Sequence, residues 1–373
     1  MTAQESVLSA VLRGDETRWP WADDQAAGAF LDAVTWHGLQ PLVARQLRRG
    51  VLLDAPAGVQ QSLARSAVQH AAAERCLAAE AGRVVDALAL AGVPALLMKG
   101  TALAYTHYPH PCLRPRSDTD LLVQRDDLPS AVRVLEGLKY EALNMTRGDF
   151  VLHQRSYART DRLGIRHVYD VHWKMAGPQA VSGLLGWDEV DRAAVPIAAL
   201  GEHARALGDI HSLLLACVHR MAHHYDNRRL IWLYDIHVLA SRMGEEPLRA
   251  LMRQVAGKGA ASMCLHGLEL ARERFGTCLP GDLAGDLARE SGDWARFDRD
   301  VRMVDILVSD LKALPGWRER LSLLSEHVFP PAEYIRRRYG VSGSLALPVL
   351  YVHRFVTGAV KWLRPAGSGD PFA

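Results

Sequence analysis

The residues that could do chemistry gather between Lys99 and Asp170. Lys99-Gly100-Thr101 closes a short apolar run, and Asp118-Thr119-Asp120 begins eighteen residues after Gly100 and leads into Leu121-Leu122-Val123. In a strand, residues i and i+2 point to one face, so Asp118 and Asp120 project together. Two carboxylates about 4 Å apart repel by roughly 4 kcal/mol at an effective dielectric of about 20, and such a pair at the mouth of an apolar strand calls for a cation. Mg²⁺, with Mn²⁺ as the alternative, suits the position because it takes hard oxygen ligands and is commonly held by one or two carboxylates plus substrate phosphates. Asp170, between Tyr169 and Val171, is a third carboxylate, and His172 shares its face. Three acids on two adjacent strands could hold two metals about 3.5–4 Å apart, an arrangement suited to in-line displacement at phosphorus.

Gly100-Thr101 supplies the other half of such a site. A glycine that ends a strand and opens a helix lets a phosphate approach the backbone, where the free N–H groups of the helix start favour an anion. The Thr101 hydroxyl can donate to the same phosphate. Lys99, Arg114 and Arg116 are placed to balance a triphosphate, Arg116 most directly because it adjoins Ser117-Asp118.

These residues need particular elements to hold them. Ala95 to Met98 reads as a buried strand between Pro94 and Gly100, followed by a short helix over 101–108. Asp118 to Val123 reads as a second strand, with an Asp cap and Pro129 opening a helix behind it. Two more strands are expected at 151–158 and 166–174. Before this core, 24–36, 39–48 and 58–91 read as helices, the last stopped by Gly92-Val93-Pro94. After it, Ile210, Leu213, Leu214, Cys217 and Met221 recur on one helical face, and further helices are expected at 229–243, 246–255, 258–274, 297–312 and 348–363. The fold class is α+β: an N-terminal helical segment (1–93), a small mixed-sheet core (94–178), a larger C-terminal helical region (179–365) and a frayed tail (366–373).

The helical region offers further candidates. His219 and His223 are spaced i, i+4, but no Glu follows in a His-Glu-x-x-His arrangement, so these and His224 read as polar residues lining a cleft. Asp235 lies in an apolar helical stretch and needs a partner, for which Arg229 or a histidine of the preceding helix is available. His172, His219 and Asp235 are the candidate contacts to an acceptor or base; failing that, Asp235 braces helices. Arg336-Arg337-Arg338, Arg354, Lys361 and Arg364 interleave with Tyr339, Tyr351, Phe355 and Trp362. This stretch reads as helix with an apolar inner and a basic outer face.

Composition narrows the function class. The chain has 373 residues, 44 Lys+Arg against 42 Asp+Glu, and 49% apolar residues, which excludes collagen-like, disordered and disulfide-scaffold proteins. A net charge of +2 does not suggest a dedicated nucleic-acid binder. None of the five cysteines are spaced as Cys-x-x-Cys, and the longest apolar run, Leu88 to Met98, is interrupted by Gly92 and Pro94. A membrane span needs about 20 apolar residues. A cytoplasmic protein without a membrane span is expected.

As a set, HGLQPLV (37–43), LLMKGTALAYTHYP (96–109), RSDTDLLV (116–123), YDVHW (169–173), LIWLYDI (230–236) and FPPAEYIRRRYG (329–340) resemble an uncharacterised bacterial family within the nucleotidyltransferase superfamily related to DNA polymerase beta. The resemblance implies Mg²⁺-dependent transfer of a nucleoside monophosphate from an NTP, with ATP favoured, to a hydroxyl, phosphate or amine of a small-molecule, peptide or protein acceptor, releasing pyrophosphate. Carried over by position, Asp118 and Asp120 would be metal ligands. Asp170 would ligate the metal near the attacking oxygen and help to deprotonate it. Gly100 and Thr101 would hold the β- and γ-phosphates. The chain departs from the superfamily pattern in having Lys99-Gly100-Thr101 where an apolar-Gly-Gly/Ser turn is usual, and in a longer gap to the first Asp. The alternatives are a catalytically degenerate nucleotide-binding or protein-interaction module and a phosphotransferase on the same fold. The absence of a Gly-x-x-x-x-Gly-Lys-Ser/Thr loop disfavours a P-loop kinase.

Overall fold

The computed structural model describes residues 1–143, 148–256, 260–281, 301–343 and 345–362. The N-terminal segment is α1 (Ala3–Arg13), β1 (Thr17–Arg18), α2 (Asp24–His37), α3 (Gln40–Arg48), β2 (Leu52–Leu53) and α4 (Ala57–Leu90). The expectation of three helices here omitted α1, which is fixed by a capping box between Thr2 and Glu5 and closed by Gly14 in the left-handed region. α4 is a single helix of 34 residues.

The core follows as β3 (Ala95–Met98), α5 (Lys99–Thr106), β4 (Thr119–Val123), α6 (Leu128–Gly137), β5 (Glu141–Ala142), β6 (Gln154–Thr160) and β7 (Arg166–His172). Asp127 does take the N-cap position of α6, but its side chain makes no capping bond. Two short helices, α7 (Gln179–Ser182) and α8 (Trp187–Arg192), then lead to two edge strands, β8 (Val195–Pro196) and β9 (Arg205–Ala206). The sheet runs β5-β6-β7-β4-β3-β9-β8, so it draws its last two strands from beyond residue 178. These two-residue strands carry too little pattern to be read from sequence.

Register explains how the sheet presents two different faces. β3 and β4 pair antiparallel, with Met98 opposite Asp120, and β4 and β7 pair parallel, with Asp120 opposite Asp170 and Leu122 opposite His172. Residues opposite one another share a face. Leu97, Leu121, Val123, Tyr169 and Val171 fall on one side and join a core with Val84, Val85 and Leu88 of α4 and Ala131 and Leu135 of α6. Leu96, Met98 and Leu122 fall on the other, packed with the helical region. That second face is the one that carries Asp120, Asp170 and His172.

Against it stand α9 (Asp209–Ala222), α10 (Leu230–Arg242), α11 (Glu245–Ala256) and α12 (Ala261–Phe275). Helices Met303–Ala313, Trp317–Val328, Ala332–Tyr339 and Leu347–Trp362 complete the described chain. The last differs from expectation. Val349, Val352, Phe355 and Val356 are 69%, 64%, 58% and 60% exposed, whereas Arg354 turns inward and its Nη1 donates to the carbonyl of His327 at 2.8 Å. The arginine is drawn in by a helix C-terminus that needs donors. Lys361, as a side chain, and Arg364 and the tail 366–373 lie outside the described residues. No helix among the described residues is long and apolar enough to cross a membrane.

Candidate functional site

The carboxylate face of the sheet opens into a cavity of about 780 Å³. Its sheet wall includes Lys99, Gly100, Ser117, Asp118, Asp120 and Asp170; its helical wall includes His219, His223, His224, Arg229, Trp232 and Asp235. Thr35, Gly38, Gln40 and His70 of the N-terminal segment also reach it; Gly38 and Gln40 belong to the HGLQPLV motif, whereas no motif marks Thr35 or His70.

Asp120 sits at the centre of the sheet wall. Its Oδ1 accepts from Lys99 Nζ at 2.7 Å and from His172 Nε2 at 2.8 Å. Burial pushes the Asp120 carboxyl up, but Lys99 and His172 outweigh it and hold it well below the usual carboxylate range. At Asp118 the Lys99 and Arg114 charges help too little. Burial first, then repulsion from Asp120 and Asp170, pushes its carboxyl up to about 6. Asp170 Oδ2 accepts from Gln154 Nε2 at 2.6 Å.

Donor atoms of Asp120, Asp170 and His172 all lie within 4.8 Å of one another, close enough to share one metal ion. The chemistry of the set fits a hard divalent cation, since two carboxylates lead it. His172 adds a second observation. It is fully buried, burial lowers its pKa, and a neutral ring that donates from Nε2 to a carboxylate keeps a lone pair on Nδ1. That Nδ1 is buried without a hydrogen-bond partner.

Several expected phosphate contacts are arranged otherwise. Thr101 is only 1% exposed, and its hydroxyl donates to the carbonyl of Asp118 at 3.4 Å while accepting from Arg116 at 3.3 Å. It braces the Asp118 loop from below, because the first turn of α5 points it into the protein. The Arg116 side chain is 2% exposed and pairs with Glu74 of α4 at 2.9 Å; a buried guanidinium needs that carboxylate. Tyr105 also donates to Glu74. Over Gly100 lies the guanidinium of Arg114, about 3.4 Å from where a Cβ would stand.

Arg114 is the main residue that sequence reasoning left without its true role. It reaches across the cavity to Asp235, with Nε 2.8 Å from Oδ1 and Nη2 2.6 Å from Oδ2. Tyr108 donates to Asp235 Oδ1 at 2.7 Å. The expected partner of Asp235, Arg229 or a histidine, is therefore replaced by a core arginine 121 residues away. Asp235 is a brace between sheet and helices. Arg229 instead donates to the carbonyl of Trp36 and lies over the Trp232 ring, 5.5 Å from its centroid.

Beside Arg229 and Asp235, the helical wall carries a row of neutral aromatic rings. His219 stacks on His223 at 4.9 Å between centroids, and His224 stacks on Trp232 at 3.9 Å. His153, beside His223 at 4.7 Å, extends the row toward the sheet. Burial is the leading cause that lowers all four, to about 2 for His153, about 3 for His223, about 4 for His224 and well below normal for His219; the Lys99 charge lowers them further. His223 Nε2 accepts from the Gly177 N–H at 3.0 Å. A Cβ at Gly177 would come within 2.8 Å of His153, so the close approach requires glycine.

The family model described as "Uncharacterised nucleotidyltransferase" matches residues 23–276. The matched span includes every motif quoted above except FPPAEYIRRRYG at 329–340. No curated protein matches the chain.

Proposed function

The chain belongs to the family of uncharacterised nucleotidyltransferases, and from that premise we propose that it moves an NMP from an NTP, ATP favoured, to a hydroxyl, phosphate or amine of a small-molecule, peptide or protein acceptor. Mg²⁺ is the proposed cofactor and pyrophosphate the second product. The observation that carries the reading is the parallel register that sets Asp120 beside Asp170 on a cavity wall that Asp118 also lines. Asp118, Asp120 and Asp170 would hold the metal, with His172 supporting Asp120. The ion, when bound, supplies charge neutralisation for the phosphates and eases ionisation of the acceptor.

The chain's own residues do the rest. Ser117 and the Lys99-Gly100 corner border the space for the phosphates. Gln154 pins Asp170 Oδ2, which leaves Oδ1 to take the acceptor proton. The acceptor oxygen or nitrogen then bonds to the α-phosphorus, and the bond to the β-phosphate oxygen breaks with its electron pair, so pyrophosphate departs. The neutral wall of His219, His223, His224 and Trp232 excludes water and receives the acceptor. Arg114 and Arg116 are each committed to an internal acid, so the triphosphate relies on the metal more than on arginines.

The test is thermal stability with each NTP, with and without Mg²⁺, on the wild type and on Asp118→Ala. A ligand at 100 times its Kd adds about 2.7 kcal/mol when it binds only the folded state. A Mg²⁺-dependent rise with one NTP, lost in the variant, supports the reading and names the donor; no rise with any of the four sinks it. Pyrophosphate from ATP, rather than ADP, separates nucleotidyl from phosphoryl transfer.

A further inference from the structure

Both lone-pair directions of one Asp120 oxygen are already taken. Lys99 Nζ and His172 Nε2 lie 2.7 Å and 2.8 Å from Asp120 Oδ1, which leaves Oδ2 as the only oxygen this carboxylate can offer a metal. Two ions about 3.5–4 Å apart need a shared ligand, and Asp120 is the acid placed to be one: it is two residues from Asp118 and directly opposite Asp170. With Oδ1 engaged, the bridge that gives one oxygen to each ion is closed to it.

The cation that engages it is held there at a cost. The Lys99 side chain is only 17% exposed, and its backbone adopts φ +52°, a left-handed conformation that glycine adopts freely and lysine rarely. A glycine at this corner would relieve the strain; a lysine there makes sense if its ammonium is needed. The neighbouring cations cannot substitute, because Arg114 is tied to Asp235 and Arg116 to Glu74. Among the described residues, Lys99 is thus the cation hydrogen-bonded to Asp120 in this group of acids.

We infer that Lys99 is the second cation of the site: its ammonium occupies on Asp120 the place that a second divalent ion would take, so that the enzyme works with one metal ion rather than two. This rests on the metal-dependent reading above and narrows the two-metal expectation drawn from the three acids.

Counting Mn²⁺ ions on the full chain by electron paramagnetic resonance tests it, with α,β-methylene-ATP at saturation and the free nucleotide as control. The wild type should bind one Mn²⁺ per chain. Lys99→Met keeps the side-chain length but removes the charge, and should bind two; Lys99→Arg should return the count to one. Two ions on the wild type, or one on a folded Lys99→Met, would overturn the role of Lys99 while leaving nucleotidyl transfer standing. No Mn²⁺ on the wild type beyond the nucleotide control would instead remove the metal-dependent reading itself, and this inference with it.

Discussion

The two walls of the cavity solve the problem of burying polar groups in opposite ways. On the sheet wall, charges are kept and most of them are matched: Lys99 on Asp120, Arg116 on Glu74, and Arg114 reaching over to Asp235. On the facing wall, His219, His223 and His224 share the space with Trp232, His153 joins them from the sheet side, and burial keeps all four uncharged. A buried charge is tolerated when paired, and an unpaired titratable group gives up its charge instead. The difference assigns labour. On the proposed reading, the sheet wall would supply the fixed charge for phosphate chemistry, and the row of histidines with Trp232 would receive the acceptor.

The comparison breaks most sharply at Asp120. Asp120→Asn keeps the shape but removes the charge that Lys99 and His172 both address. Transfer should fall by on the order of a thousandfold or more, since several kcal/mol of transition-state stabilisation depend on the metal acids. Pyrophosphate release measures it, and turnover within tenfold of wild type would move the chemistry away from this wall. Stability should drop by about 1–3 kcal/mol as well, because a partly buried ammonium loses its partner.

The tie between the walls comes next. Arg114→Met should cost about 3–5 kcal/mol in denaturant unfolding, because it leaves the buried Asp235 carboxylate without its cation. The double variant Arg114→Met with Asp235→Leu should recover most of that loss. If the double variant is as unstable as the single one, the pair is not what joins sheet to helices.

The unequal legibility of the walls has the same physical origin. The sheet wall is readable in part because a strand's period of two fixes faces from local sequence: spacing alone sets Asp170 with His172 on one side of β7, whereas Asp118 stands one residue before β4 and outside the group of Asp120, Asp170 and His172 whose donor atoms converge. The strands themselves are visible as short apolar runs. Pairing at a distance leaves no such trace. Nothing local joins Arg114 to Asp235 or Arg116 to Glu74, although Asp235 in an apolar helix announces that it needs some partner. Lys99 resembles a phosphate ligand by position, and its bond to Asp120 depends on a backbone conformation that lysine rarely takes. Edge strands of two residues and a helix face turned outward at Val349, Val352 and Val356 are hidden for a related reason: pattern reports what can be buried, while assembly decides what is.

If the helical wall takes the acceptor, Trp232→Ala should leave nucleotide affinity within about twofold. The stack with His224 is worth about 0.5–1.5 kcal/mol, so a loss near tenfold would show that the nucleotide, not the acceptor, rests on it. Titration calorimetry with the NTP and Mg²⁺ distinguishes these outcomes, and would redraw the division of labour in the second case.

The smallest expected effect concerns how the helical wall answers acid. The pKa of His224 is held down at about 4, first by burial and then by the Lys99 and Arg229 charges, against about 6.5 in an unfolded chain. Between those values the unfolded state binds the proton and the folded state does not, so stability is complete above about pH 6.5 and falls as pH drops toward 4. One such group contributes a slope of at most about 1.4 kcal/mol per pH unit, reduced here because His224 is only partly enclosed. His224→Gln cannot take up a proton in either state. Its unfolding free energy should therefore lose less than the wild type's between pH 6.5 and 4.5, by about 1 kcal/mol. Parallel curves for the two proteins would mean that His224 opens to water when acidified, and that the wall's neutrality belongs to His153, His219 and His223 alone.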